Sequence, residues 1–524
     1  MSETVSPRRL SLLLALVAAL LVFRIGAVPL LGPDEPRYAR VAVEMHRAGE
    51  WVTPTLRGEP WLEKTPLFYW LAGASFSVLG ETEAAARLPS VLAALVMVGA
   101  TALVGARVFG PRAGLHAGFA SGTALLPFAY GRAASMDMLL AGTVTAAVGL
   151  AGLRLLGLAG PRAIVAAAAV AGLATLAKGP LGLLLPALVV GGYVVLTREW
   201  RQLRELLSPT AVAAFVVVSA PWYVAIVLEQ GRNFVDVFLL DHNVERFTST
   251  IHRHPGPFWY YLPILLGGLF PWSGLAMPAL FGVRPRASRT DLFVLLWLGL
   301  PLVFFSLAGS KLPGYILPCI PPLALLMGRA ADRLVTADAP ERYLAGRVAA
   351  LVGLVLGGVV ATTPALLFRI GEPYWRSALP LALWAVVVAF LFSRRVGPDP
   401  EGALRVLRIG APGLLILLTL AAPSTLARRE SGARLFAPAN GREVLAWGAW
   451  RTAWMAGYFY NDGRVREVRD AAEVFAAVDN GPALVLVGPS ERRRLEVMGA
   501  LETQVLAWGP RENTLVRLER RASR

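Results

Sequence analysis

Residues 10–39 read LSLLLALVAALLVFRIGAVPLLGPDEPRYA, and the change of character near residue 32 decides how the rest of the chain is read. Leu10 to Leu31 is apolar over enough residues to cross a hydrocarbon core of about 30 Å, and Arg8 and Arg9 precede it. It is long for a secretory signal and lacks a clear small-residue cleavage site, so it reads as an uncleaved spanning helix. Immediately beyond it stand two acids, Asp34 and Glu35, followed by Arg37 and Arg40.

The pattern of an apolar run closed by a short Arg-, Pro- and Gly-rich segment repeats along the chain. About 13 spans result, the later ones near residues 90–106, 113–130, 138–156, 163–177, 181–196, 209–228, 258–283, 292–308, 315–327, 348–368, 378–392 and 409–426. Of the 524 residues 56% are hydrophobic and only 16% charged, where a soluble chain carries about a quarter. The net charge of +16 is not a nucleic-acid patch, because its arginines fall in alternate loops: Arg107 and Arg112, Arg154 and Arg162, Arg198 to Arg204, Arg284 to Arg289, Arg329 to Arg347, Arg394 to Arg408. The positive-inside rule makes those loops cytoplasmic. An odd number of spans starting inside then leaves the C-terminus outside. The single cysteine, Cys319, permits neither an intrachain disulfide nor a CxxC motif.

The expected fold is therefore an α-helical polytopic membrane protein. Residues 1–427 form the transmembrane domain, including an outer loop at 32–87, and residues 428–524 form a small extracytoplasmic α/β domain. In that tail Ala483 to Gly488 reads as a buried strand, Ser490 to Met498 as a capped helix and Thr514 to Leu518 as another strand. In the outer loop, Asp34 to His46 places Tyr38, Val41, Ala42 and Met45 on one face, with Pro36 suited to a first turn and Gly49 to a C-terminal stop. That spacing predicts an amphipathic helix lying on the membrane surface. A second helix is expected from about Pro66 to Leu79.

Several polar groups gather on the expected outer side, each with two readings. Asp34 and Glu35 suit a general base that accepts a proton from an acceptor hydroxyl; the alternative is stabilisation of a helix N-terminus. Lys64, after Glu63, suits a phosphate contact or simple interfacial snorkelling. Asp137 lies at the outer end of a span, where ionisable groups are candidates for function, though a helix cap or a pair with Arg132 would also place it there. Lys311 and Tyr315 shape another outer turn. The stretch Asp241 to Phe247 includes His242, Asn243 and Arg246, and His252 and His254 follow. Imidazole is a common zinc ligand, so a divalent metal with Glu63 as a distant partner is one reading there; the spacing matches no standard metal signature, and an exposed loop without metal is the other.

Taken together, Gly32 to Ala39 (GPDEPRYA), Gly49 to Pro54 (GEWVTP), Glu63 to Trp70 (EKTPLFYW), Ala86 to Ser90 (ARLPS), His242 to Phe247 (HNVERF), Gly256 to Tyr261 (GPFWYY) and Ser310 to Pro318 (SKLPGYILP) resemble the aminoarabinose transferase family. These are lipid A modifying glycosyltransferases of the GT-C class, related more distantly to protein O-mannosyltransferases. The resemblance implies a sugar donor on undecaprenyl phosphate, a glycolipid acceptor, and a multi-pass protein of the bacterial inner membrane with its site facing the periplasm. It also implies roles: Asp34 as catalytic carboxylate with Glu35 beside it; Arg37 and Lys64, with Lys311, as phosphate-binding cations; Tyr38, Glu63, Tyr69, Asp137, His242, Asn243, Arg246 and Tyr315 as cavity residues. No cofactor is required beyond the metal just weighed. Pro36 and Thr65 depart from the family pattern, and beyond about residue 330 the resemblance is one of topology. Two competitors stand beside this enzyme: a protein O-glycosyltransferase using the same donor class, and a carrier for a lipid-linked sugar. A carrier commonly shows repeated halves and polar groups near the bilayer midplane, whereas here the charges crowd the outer face.

Overall fold

The structure, a computed structural model, describes residues 5–238, 256–336, 339–498 and 501–520. Helix α1 (Pro7–Val22) leads to the long first loop, which contains α2 (Asp34–Ala48), a hairpin of β1 (Thr55–Leu56) and β2 (Glu59–Pro60), and α3 (Leu67–Leu79). Helices α4 (Glu83–Phe109), α5 (Pro111–Thr123), α6 (Leu125–Gly131), α7 (Met136–Leu155), α8 (Arg162–Lys178) and α9 (Leu181–Thr197) follow, and further apolar helices continue to Glu430.

Among the described residues eight helices are long and apolar enough to cross a membrane, and nine if the sharply bent pair Phe258–Gly268 and Trp272–Phe281, 115° apart, is one crossing. That is fewer than the 13 expected. The difference lies in runs that are helical and apolar but short: α1 has 16 residues, α8 and α9 have 17 each, and the third expected span is interrupted at Ala124, whose extended backbone separates α5 from α6. Sixteen residues rise only about 24 Å, short of the roughly 30 Å core.

Helices α4 and α5 approach closely because small residues face each other. A Cβ built on Gly114 would lie 2.5 Å from the Ala102 carbonyl oxygen and 2.4 Å from the Ala106 nitrogen, and one on Gly118 would lie 2.7 Å from Ala102 Cβ. Lipid offers no hydrophobic drive between helices, so such close backbone packing supplies much of the association.

The tail is a five-stranded mixed sheet, ordered β4 (Val465–Val468), β3 (Val444–Trp447), β5 (Ala483–Val487), β7 (Thr514–Arg520), β6 (Leu501–Trp508). Strand β3 pairs parallel with β4 and β5; β7 is antiparallel to β5 and β6. Side chains alternate between faces with period two, and both faces are used. Leu445, Trp447, Val485, Val487 and Val516 pack with Val474 and Val478 of the helix Ala471–Asp479. Their neighbours Val444, Ala446, Leu484, Leu486 and Leu515 belong to the same continuous core as the membrane helices. The tail is thus docked on the bundle. It lies against α2, where Arg47 Nη1 donates to Asp462 at 2.8 Å, Arg40 also pairs with Asp462, and the Leu30 N–H donates to the Tyr460 hydroxyl at 2.7 Å.

This docking changes the expected setting of α2. Val41, Ala42 and Met45 are buried as the periodicity requires, but Glu35, Arg37, Ala39 and Val43 are buried as well. The helix is enclosed between α3 and the tail's short helix Gly457–Tyr460 and does not present one face to lipid headgroups.

Candidate functional site

The entry into α2 is fixed by one buried ion pair. Glu35 and Arg87 are 9% and 3% exposed in their side chains and meet at 2.8 Å. Arg87 also donates to the carbonyls of Ile25, Val28 and Pro29, so it gathers the chain leaving α1 onto α4. Glu35 in turn accepts from the Leu31 N–H at 2.6 Å, the Ala134 N–H at 2.5 Å, and Arg87 Nε and Nη2. A carboxylate offers about four acceptor positions, and Glu35 uses all four on the protein. Glu35, expected beside Asp34 as a catalytic acid, is thus engaged at every acceptor position by the protein itself, where it ties the entry into α2 to Arg87 and Ala134.

Asp34, one residue earlier, faces the other way. Its side chain is 54% exposed, and it accepts from Arg37 Nη2 at 2.5 Å. The Arg37 guanidinium is buried; it lies 5.4 Å from the centre of the Tyr38 ring and 5.1 Å from that of Trp61, and its Nε makes no hydrogen bond among the described residues. Burial works against its charge, but Tyr38, Asp34, Glu63 and Tyr69 together outweigh that and raise its pKa. Tyr69 is fully buried, and burial first of all pushes its phenol well above the ordinary value, so it stays protonated.

The hairpin delivers Trp61 and Glu63 to this place, the first against the Arg37 guanidinium and the second within its electrostatic reach, and Lys64 follows next in the chain. The hairpin's two-residue loop, Arg57-Gly58, has φ of 60° and 78°, the doubly positive pattern of a turn that matches strand twist. Glu44 on α2 holds that turn by accepting from the Arg57 and Gly58 N–H groups at 2.8 and 3.1 Å and from Arg40 Nε at 2.6 Å. Glu63 and Lys64 are half-buried. Tyr458 of the tail lies within electrostatic reach of both Arg57 and Arg37, so the tail borders the same site.

A second polar cluster forms where α7 begins. Ser135 caps that helix by accepting from the Asp137 N–H at 3.1 Å. The Asp137 carboxylate pairs with Lys178, the last residue of α8, and the Lys178 ammonium lies 4.7 Å from the Tyr315 ring centre. Gly314 allows the approach, since a Cβ there would stand 2.5 Å from Asp137 Oδ2 and 2.6 Å from the Tyr130 ring. The expected pairing of Asp137 with Arg132 is not formed; Arg132 instead donates to the carbonyls of Leu20, Leu21 and Phe23 at the end of α1. Lys311 is buried, and its ammonium donates to the Ala308 carbonyl at 2.6 Å.

Of the expected site residues, the structure brings together Asp34, Arg37, Tyr38, Glu63 and Tyr69, and separately Asp137 and Tyr315. His242, Asn243 and Arg246 lie outside the described residues, as do His252 and His254. Among the described residues no three His, Cys, Asp or Glu side chains converge to hold a metal. Sequence reasoning missed Lys178 and the partner of Glu35. A signal existed for the first: a lysine closing an Ala-rich apolar run just before Gly179-Pro180.

Comparison with known proteins bears on this arrangement. A family model described as dolichyl-phosphate-mannose-protein mannosyltransferase matches residues 63–224. The undecaprenyl phosphate-alpha-4-amino-4-deoxy-L-arabinose arabinosyl transferase of Edwardsiella ictaluri is 35% identical over 347 residues, 64% of this chain and 62% of that protein. Its counterpart in Yersinia pestis is 34% identical over 376 residues, 68% of this chain and 66% of that protein. The alignments thus span somewhat less than two thirds of those relatives' length. A crystal structure of ArnT from Cupriavidus metallidurans bound to undecaprenyl phosphate superposes with a TM-score of 0.76 at 26% identity, covering 97% of both chains. With 34–35% identity over about two thirds of the chain and the fold matched nearly end to end, the chain belongs to the aminoarabinose transferase family of the GT-C class.

Proposed function

We propose that this protein transfers a sugar from a polyprenyl phosphate, most simply undecaprenyl phosphate, to a lipid A-like glycolipid on the periplasmic face of a bacterial inner membrane. The observation that carries this reading is the pairing of a half-open carboxylate, Asp34, with a buried guanidinium, Arg37, that still has a donor to spare.

In this mechanism the acceptor hydroxyl approaches Asp34, which takes its proton as the oxygen attacks the anomeric carbon. The bond from that carbon to the lipid phosphate breaks, and the electron pair leaves with the phosphate. The departing group needs charge neutralisation rather than protonation, which Arg37 and Lys64 supply, so no second acid is required. A single displacement inverts the anomeric centre. Glu35 and Arg87 hold α2 at the angle that presents Asp34, and a base misplaced by about 1 Å loses on the order of a hundredfold in rate. In this reading the separate cluster of Asp137, Lys178 and Tyr315 contacts the sugar, and Lys311 shapes the neighbouring turn through its hydrogen bond to the Ala308 carbonyl.

The nearest rival keeps the donor and changes the acceptor to Ser or Thr of an exported polypeptide; the match of residues 63–224 to protein mannosyltransferases favours it. The test is transfer of radiolabelled sugar from undecaprenyl phosphate in membranes, with lipid and protein fractions counted separately. Label in glycolipid is the expected result. Label in protein would replace this acceptor with the rival's, and no transfer from any of a panel of donors would favour a carrier.

A further inference from the structure

The end of the bundle opposite the site carries a groove of about 590 Å³ that the proposed reaction does not use. Arg132, beside the site's end of α1, binds the carbonyls of Leu20 to Phe23, whereas the groove begins at Arg9 in the first turn of that helix. About 11 residues, or some 17 Å of helix, lie between.

Two helices build the groove in the same way. On α1, Arg9 is followed one and two turns deeper by Leu12 and Leu16; on α5, Arg112 is followed by Leu115 and Phe119. Residues at these spacings share one face. Each helix therefore sets a guanidinium at the rim and an apolar strip beneath it. The helix Pro400–Glu430 closes the third side with Arg408, and Glu401 joins Arg112 at 3.3 Å and Arg408 at 2.5 Å, fixing both guanidiniums. Arg9 is exposed and makes no ion pair among the described residues. Glu401 and, 3.4 Å from Arg112, Asp332 offset two of the three cations, which leaves one net positive charge at the rim of an apolar wall about 10 Å long. Basic pockets between membrane helices on the cytoplasmic side suit anionic headgroups.

We propose that this groove binds one anionic phospholipid, its phosphodiester held by Arg9, Arg112 and Arg408 and the headgroup-proximal part of one acyl chain lying along Leu12, Leu16 and Phe119. The charge excess selects an anionic lipid over a zwitterionic one, and the apolar wall selects a lipid over free phosphate. This inference does not depend on the reaction proposed above.

The test uses the full chain, delipidated in a neutral detergent, with retention of added lipid measured by native mass spectrometry. Phosphatidylglycerol should be retained in preference to phosphatidylethanolamine, and millimolar inorganic phosphate should not displace it. An arginine near an anionic surface contributes about a fivefold factor, so Arg9→Gln should weaken retention about fivefold and Arg9→Gln/Arg112→Gln about 25-fold. Arg9→Gln breaks no ion pair and should leave the lipid-free unfolding temperature unchanged, which separates lost binding from lost folding. Glu401→Gln should not weaken retention. Equal retention of the two lipids, displacement by free phosphate, or unchanged retention by Arg9→Gln and the double variant would overturn the proposal.

Discussion

Replacing Glu35 by Gln should damage stability far more than chemistry, while the same change at its neighbour Asp34 should do the reverse. Glu35 and Arg87 are 9% and 3% exposed, and removing one member of such a pair leaves an uncompensated buried charge, at a cost of about 3–5 kcal/mol. The amide also turns a donor toward Arg87 or the Ala134 N–H, both of which now donate to Glu35. For a chain of 524 residues the loss corresponds to a fall in unfolding temperature of roughly 3–5 °C. The Asp34 side chain is 54% exposed and its pair with Arg37 is a local i,i+3 contact, worth about 0–1 kcal/mol, so Asp34→Asn should shift the transition by no more than about 1 °C. Thermal scans by size-exclusion fluorescence in detergent, run beside transfer assays on the folded fraction, measure both quantities. Folded Glu35→Gln should keep turnover within about tenfold. A Glu35→Gln variant as stable as wild type but inactive would make Glu35 the reacting carboxylate and refute the division of labour between the two acids.

Asp462 is held below the usual aspartate range: burial opposes its charge, but hydrogen bonds from Arg40 and Arg47 outweigh that. A depressed carboxyl stabilises the docked tail at neutral pH and loses that contribution as pH falls through its folded pKa, below about 4. Hydrogen exchange of Gly457 to Tyr460 should therefore rise below pH 4 in the wild type, and Asp462→Asn should show the faster exchange already at pH 7; identical profiles would mean the tail is held without this pair. Lys178→Met should cost about 1–3 kcal/mol by leaving Asp137 unpaired, with Lys178→Met/Asp137→Leu recovering part of the loss in a double-mutant cycle of unfolding temperatures. Gly114→Ala should disrupt folding, because its Cβ meets backbone atoms 2.4 and 2.5 Å away; recovery of monodisperse protein at wild-type yield would contradict the packing of α4 on α5.

What the sequence revealed depended on how local each cause was. The helix of the outer loop was legible because its apolar residues repeat at helical spacing and Gly49 supplies the left-handed stop, with φ of 65°. Its enclosure was not, because the tail that covers it lies some 400 residues away in the chain. Strand β5 reads as a continuous apolar run and β7 as an apolar stretch broken by Arg517, whereas β3 and β4 have only four residues each and β6 is mostly exposed, burying few side chains along its length. Asp34 and Arg37 could be found as a pair because they are one helical turn apart. Glu35 could not be separated from Asp34 by spacing, since its role is set by Arg87 and Ala134, which are distant in sequence. Lys178 was hidden for a similar reason: it resembles an interfacial anchor until Asp137 and Tyr315 are brought beside it.

The most direct test of the account sets donor binding beside turnover. In proteoliposomes supplied with undecaprenyl-phosphate-linked sugar and a lipid A acceptor, wild type and Asp34→Asn are compared for donor affinity and for initial rate of transfer. The account predicts that Asp34→Asn binds donor within about threefold of wild type and transfers it about 10²–10⁴ times more slowly, the range that a positioned base supplies. Transfer by Asp34→Asn at a rate within tenfold of wild type would contradict it.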